Sequence, residues 1–177
     1  MVSQPTFIAD LWRPSAGMAA DGGWTGLHDQ VMGGRSSGVA QLMPGNAHDP
    51  ARVQLAGTVS RDHGGGFASF RLRLAPPRGL GNAQGMALTV RGDGGVYKCC
   101  LHRQTDWDGV QWQADFLAPS AWNTLTLPLS AFVARRRGRA AVERALAASD
   151  VIHQIGLMAV RPELGAFALC LASIAWV

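Results

Sequence analysis

Four charged residues stand where a short segment could hold a side chain in a fixed place: Asp29, Arg71, Arg91 and Asp93. Asp29 opens the string Asp29-Gln30-Val31-Met32-Gly33-Gly34-Arg35-Ser36, and Arg71 closes Gly65-Gly66-Phe67-Ala68-Ser69-Phe70-Arg71. Arg91 and Asp93 flank Gly92, a few residues before Tyr97. Two chemistries suit this set. The aspartates can accept hydrogen bonds from loop amides and fix turns, which needs no ligand. Alternatively, the four converge on one surface, where paired charges bind a polar partner or a sugar. The neighbouring glycines serve either reading, because glycine tolerates positive φ and close backbone approach.

Other reactive patterns fail on spacing. Gly92-Asp93-Gly94-Gly95 lacks the lysine and the following helix of a phosphate loop, and no βαβ unit surrounds any glycine cluster. The five histidines have no short paired spacing, and Cys99-Cys100 has no second cysteine pair, so no metal is expected. Asp106-Trp107-Asp108-Gly109 resembles a fragment of a calcium loop without its distal glutamate, and an exposed turn is the simpler expectation. No nucleophile-elbow string occurs, and no carboxylate pair is marked for glycoside hydrolysis. The expectation is a chain without catalysis and without a cofactor. Among the six tryptophans, Trp24, Trp122 and Trp176 sit in apolar strand patterns and are expected to be buried. Trp107 and Trp112, around the acidic turn, are the candidates for an exposed sugar-stacking platform.

The elements that must position these groups are strands. Apolar residues recur at every second position in Phe70, Leu72 and Leu74, in Val53, Leu55 and Val59, in Met86, Leu88 and Val90, in Leu125, Leu127 and Leu129, and in Ile155 and Leu157. Turn residues separate the runs, as in Pro44-Gly45-Asn46, Gly64-Gly65-Gly66 and Gly92-Asp93-Gly94-Gly95. Only Ala140 to Ala148 reads as a helix. Many short strands and almost no helix predict an all-β sandwich of two antiparallel sheets. The chain has 177 residues, 47% of them hydrophobic, enough for one core, so residues 1–177 are read as a single domain.

The net charge of +4 comes from scattered arginines, apart from Arg135, Arg136, Arg137 and Arg139, which is weak ground for nucleic-acid binding. Leu164 to Val177 falls short of the roughly 20 apolar residues that cross a bilayer. Met1 to Asp10 carries no secretory pattern. Three cysteines, two adjacent, make a poor disulfide framework and point to a reducing compartment, read as the cytoplasm.

The strings around Asp29, Phe67 and Arg91 carry a resemblance. Asp-x-Val-Met-Gly-Gly-x-Ser at 29–36 is followed in order by the Gly65 to Arg71 string, Val90-Arg91-Gly92-Asp93-Gly94 with Tyr97, Trp122, Leu127-Pro128-Leu129 and Phe132. Arg137-Gly138, Ile155-Gly156-Leu157-Met158 and Phe167 with Leu169 complete it. This pattern resembles the complex I intermediate-associated protein 30 family over roughly Phe7 to Ile174, in the form of a short bacterial-type member. Gly64 stands where relatives often carry asparagine, and Trp112 where many carry tyrosine. The resemblance implies a galactose-binding-like jelly roll. It also implies a non-catalytic assembly module, a chaperone that binds a protein partner such as a subunit or assembly intermediate of NADH:ubiquinone oxidoreductase. Nucleic acid is not expected as a partner, and any membrane association would be peripheral, through the complex. The binding surface is assigned to Asp29, Met32, Gly33, Gly34 and Ser36, to Phe67, Ser69 and Arg71, and to Arg91, Asp93 and Tyr97. A jelly roll of this kind also leaves open a carbohydrate or small ligand.

Overall fold

The computed structural model of the protein describes residues 6–160 and 165–177. Within them the strands run in chain order as β1 (Ala9–Trp12), β2 (Trp24–His28), β3 (Ser37–Met43), β4 (Arg52–Thr58), β5 (Ala68–Gly79), β6 (Gly85–Gly92), β7 (Val96–His102), β8 (Gln111–Leu117), β9 (Asn123–Pro128), β10 (Val133–Arg136), β11 (Arg139–Ala140), β12 (Val151–Ala159) and β13 (Ala166–Trp176). Two antiparallel sheets form. One is six-stranded in the order β3-β4-β13-β6-β9, with β1 paired to the end of β13. The other is seven-stranded in the order β11-β10-β8-β7-β12-β5-β2.

The alternation seen in the sequence is the reason the sheets stack. Met86, Leu88 and Val90 of β6 and Leu169 and Leu171 of β13 point inward from the six-stranded sheet. Phe70, Leu72 and Leu74 of β5, Tyr97, Cys99 and Leu101 of β7, and Ile155 and Leu157 of β12 meet them from the other. Successive side chains point to opposite faces of a strand, so Ser69, Arg71 and Arg73 on β5, and Lys98, Cys100 and His102 on β7, face outward from the seven-stranded sheet. Arg91 and Thr89 of β6 face outward from the opposite sheet by the same count. This parity decides which signature residues can meet.

Three sequence expectations change. Ala140 to Ala148 is not a helix: β11 ends at Ala140, and the following residues are irregular. A nine-residue helix is marginal on its own, and here Asp150 organises the segment instead, accepting from Ala147 N at 2.8 Å and from Arg144 Nη2 at 2.6 Å. Trp112 is buried, at 1% exposure, because its position on β8 is on the inward parity. Trp122 is only half-buried, held by its Nε1–H to Asp49 Oδ1 at 2.8 Å and by the Arg91 guanidinium 5.1 Å from its ring centre. Trp24 and Trp176 are buried as expected, and Trp107 is 48% exposed. Among the described residues no helix is long and apolar enough to cross a membrane.

Candidate functional site

The first signature string folds into a knot around one carboxylate. Asp29 begins a short 3₁₀ turn, Asp29–Met32, that ends at Gly33 in the left-handed region, φ 87°. This reversal brings Ser36 back over Asp29. The Asp29 carboxylate, fully buried, accepts from Ser36 N at 2.9 Å, Ser36 Oγ at 2.5 Å, Gly66 N at 2.7 Å and Phe67 N at 3.3 Å. Ser36 Oγ in turn accepts from Ser60 N at 3.0 Å. Two loops far apart in sequence are therefore tied through a single side chain. A Cβ added at Gly34 or Gly65 would overlap the Asp29 carboxylate, which explains both glycines. Burial alone would raise the Asp29 pKa, but the hydrogen bonds from Ser36, Gly66 and Phe67 outweigh it and hold the value below the usual carboxylate level. The side chain of Met32 lies outside the described residues.

Asp93 works in a similar way at the same end of the sandwich. Its Oδ2 accepts from Tyr97 Oη at 3.0 Å and from Ala168 N at 3.1 Å, which staples the turn after β6 to the start of β13. Tyr97 is buried, with its ring stacked on Phe116. Arg91 lies elsewhere. From the outer face of the six-stranded sheet it reaches Asp49 through Nη1 at 2.6 Å and Nη2 at 3.2 Å. The Trp122 hydrogen bond first, then the Arg91 contact, hold the Asp49 pKa low against the opposing effect of burial.

Arg71 and Arg91 do not meet, because they project from the outer faces of opposite sheets. Of the expected four, Asp29 and Asp93 are spent within loops at one end, and the convergence of all four on one surface does not occur. Ser69 shares the outward face of Arg71 and is buried beside Leu27 and Met158 in the ladder.

The outer face of the seven-stranded sheet has a cover of its own. The loop between β7 and β8 lies back across the strands: Arg71 Nη2 donates to Trp107 O at 3.0 Å with its guanidinium 5.9 Å from the Trp107 ring centre, and Gln154 Nε2 donates to Gln104 O at 3.2 Å. At the other side Asp108 accepts from Arg137 Nε at 2.8 Å and from a second Arg137 nitrogen, with Arg136 close by. The arginine cluster is thus partly neutralised by the acidic turn. Gln104, Asp106, Trp107, Asp108, Gly109, Val110 and Arg136 line an open cleft of about 470 Å³. Beneath the loop lie Cys100, His102, Gln111, Gln113 and Gln154, all buried. Burial pushes the Cys100 thiol up to about 12, and burial ahead of the Arg71 charge pulls His102 down to about 3. A neutral thiol at that level is a poor nucleophile. Sequence reasoning passed over His102 and the glutamines. Their signal is the outward parity of Lys98, Cys100 and His102 on a strand whose inward positions are fully apolar.

Two antiparallel sheets closed on one core, with polar groups set on an outer sheet face and in loops at the end, define a jelly-roll sandwich. Comparison with solved structures agrees. A family 11 carbohydrate-binding module of a cellulosomal cellulase from Clostridium thermocellum superposes with a TM-score of 0.72 at 13% identity, covering 97% of this chain and 96% of that one. The family 11 module of that organism in complex with a β-1,3-1,4-mixed-linked tetrasaccharide gives 0.69 at 13% identity, covering 97% of each. An exo-β-agarase gives 0.56 at 11% identity, over 94% of this chain and 24% of that one. At such identities the likeness concerns the fold. Comparison with curated proteins finds no match. The sequence profile of the Complex I intermediate-associated protein 30 family matches residues 13–171, and the chain belongs to that family.

Proposed function

We propose that this protein is a non-catalytic module that assists assembly of respiratory NADH:ubiquinone oxidoreductase, holding a protein partner by transient contact in the cytoplasm. The observation that carries the reading is the family match over residues 13–171. The loop end of the sandwich is the proposed contact, revised by what the knot leaves outside. Asp29 is buried and serves to shape the surface. The partner would meet half-buried Phe67, the Gly33 and Gly34 backbone, and the exposed Arg35–Asp62 pair, 3.8 Å apart, at the rim. A polar rim around a small apolar contact suits a transient interface, setting specificity more than affinity.

The test is a deletion strain examined for assembled complex I by native gel and for NADH:ubiquinone activity. Reduced assembly that is restored by the wild-type chain, and not by a Phe67→Asp variant of equal thermal stability, supports the proposal. Normal assembly in the deletion strain sinks it.

A second reading is favoured by one feature, the half-exposed Trp107 ring beside Asp106, Asp108 and Gln104 in the open cleft. An aromatic face with carboxylates and an amide suits a sugar, whose ring packs on the indole while its hydroxyls donate. Tryptophan fluorescence titrated with mixed-linked glucan oligosaccharides decides: a saturable change abolished by Trp107→Ala supports it, and a flat titration removes it.

A further inference from the structure

Buried polar groups in folded proteins nearly always have partners, and each exception asks for a reason such as a water or an ion. Beneath the 103–110 loop several exceptions coincide. Both ring nitrogens of His102, a residue 1% exposed, have no hydrogen-bond partner, and neither has Arg71 Nε. The two side chains are close enough for the Arg71 charge to depress the His102 pKa.

The charge balance of the face points the same way. Among the described residues no carboxylate pairs with Arg71, and the ionisable group that acts on it is the Cys100 thiol. On the same outward face, Arg73 pairs with Gln154 in the ladder, Gln154 with His102, and Arg135 with Gln111, so an arginine stands at either side of the histidine row. Neither Arg73 nor Arg135 forms an ion pair among the described residues. The acids nearby are engaged elsewhere, Asp115 by Lys98 at 2.7 Å and Asp108 by the Arg136–Arg137 hairpin. Strands lie about 4.8 Å apart, so the row from β5 to β10 spans roughly 19 Å. In the adjoining row, between Arg71 and Cys100, Gly156 contributes no side chain, and a Cβ there would lie 3.5 Å from His102 Nε2 and 3.1 Å from Cys100 Cβ.

We infer that the outer face of the seven-stranded sheet, under the 103–110 loop, is a binding site for a small hydroxylated oxyanion held between Arg71 and His102. The oxyanion accepts from Arg71 Nε and from the protonated nitrogen of a neutral His102. The second ring nitrogen of a neutral imidazole is an acceptor, so it takes a hydroxyl of the same ligand. Hydrogen bonds from a cationic donor to an anion are the stronger kind, and they are strengthened further where water is excluded. Hydroxycarboxylates and phosphate esters share this chemistry. This site is distinct from the protein contact and from the Trp107 cleft proposed above, and it neither needs nor excludes either.

The test follows the His102 imidazole by NMR in the full chain at constant ionic strength, titrated with inorganic phosphate, malate, succinate and, as control, chloride. The site predicts a saturable response to phosphate or malate, at least tenfold weaker for succinate than for malate, and none for chloride. Saturation by phosphate alone supports a phosphate-ester ligand; saturation by malate alone supports a hydroxycarboxylate. Arg71→Gln weakens the response at least tenfold. Gly156→Ala does the same by filling the space over Nε2, and it keeps the proposal testable should the arginine variant fold poorly. A non-saturating response to every anion, or a response unchanged in both folded variants, overturns the proposal.

Discussion

The Asp29 knot and the His102 face are both buried and polar, yet they are built on opposite terms. Around Asp29 the donors are backbone amides and a serine hydroxyl already aimed at the carboxylate, four contacts for one group. On the other face both ring nitrogens of His102 and Arg71 Nε are equally enclosed but unpartnered, and Arg71 has no carboxylate partner among the described residues. A satisfied cluster stabilises the fold in itself. An unsatisfied one destabilises it by roughly 1–3 kcal/mol per orphan group until something else supplies the hydrogen bonds. The contrast separates a signature that shapes the chain from a surface that awaits a partner.

The largest effect should come from cutting the knot. Asp29→Ala leaves the amides of Ser36, Gly66 and Phe67 without an acceptor inside the protein, and should cost about 3–5 kcal/mol in urea denaturation. Asp29→Asn retains shape and part of the bonding and should cost less. A loss below about 1 kcal/mol for the alanine variant would mean that the loops are held by other contacts.

Next comes the pH dependence of the His102 face. Its folded pKa lies near 3 against 6.5 for the free group, so below pH 6.5 the unfolded chain binds a proton that the folded chain refuses. Stability from this residue is complete above 6.5 and eroded as pH falls toward 3, with a slope of about 1.4 kcal/mol per pH unit. Urea titrations at pH 6.5 and 4.5 should show this drop in the wild type and its loss in His102→Gln. The Asp29 knot should contribute little in that window, because its stability begins to be lost only as pH falls toward the ordinary carboxylate value of 3.8 in the unfolded chain.

Arg71→Gln should sharpen the contrast further. Removing a half-buried cation that has no carboxylate partner among the described residues should change stability by less than about 1 kcal/mol, while the anion response falls tenfold or more. The smallest effect belongs to Asp108→Asn at the exposed end of the loop. Its pKa is held low first by the Arg137 hydrogen bond and in part by the Arg136 and Arg137 charges. No resolvable shift in Tm is expected, but hydrogen exchange in residues 104–110 should accelerate, and added salt should mimic the change in the wild type.

Much of this molecule could be read from the chain itself. Period-two alternation in Phe70, Leu72 and Leu74, and in Met86, Leu88 and Val90, is a local property of the backbone, so strands, their buried faces and the sandwich followed from it. The Asp29 to Ser36 string likewise suggested a tight turn, since Gly33 can adopt the left-handed region and an aspartate can fix loop amides over a few residues. Ala140 to Ala148 misled because its helical propensity is weak and Asp150, on the following turn, offered its backbone and arginines a better partner. Trp112 misled because an acidic turn nearby says nothing about strand parity, which only the register with Leu101 reveals.

What lay beyond the sequence was every relation that depends on which sheet a strand joins. Arg71 and Arg91 both stand beside signature loops, but β5 and β6 pair into different sheets, and their side chains leave the molecule on opposite sides. His102, Gly156 and Arg71 come together because β7, β12 and β5 are neighbours in space, a consequence of long-range pairing rather than of any nearby residue. Local periodicity determines whether a residue faces inward or outward. Tertiary pairing alone decides what it faces.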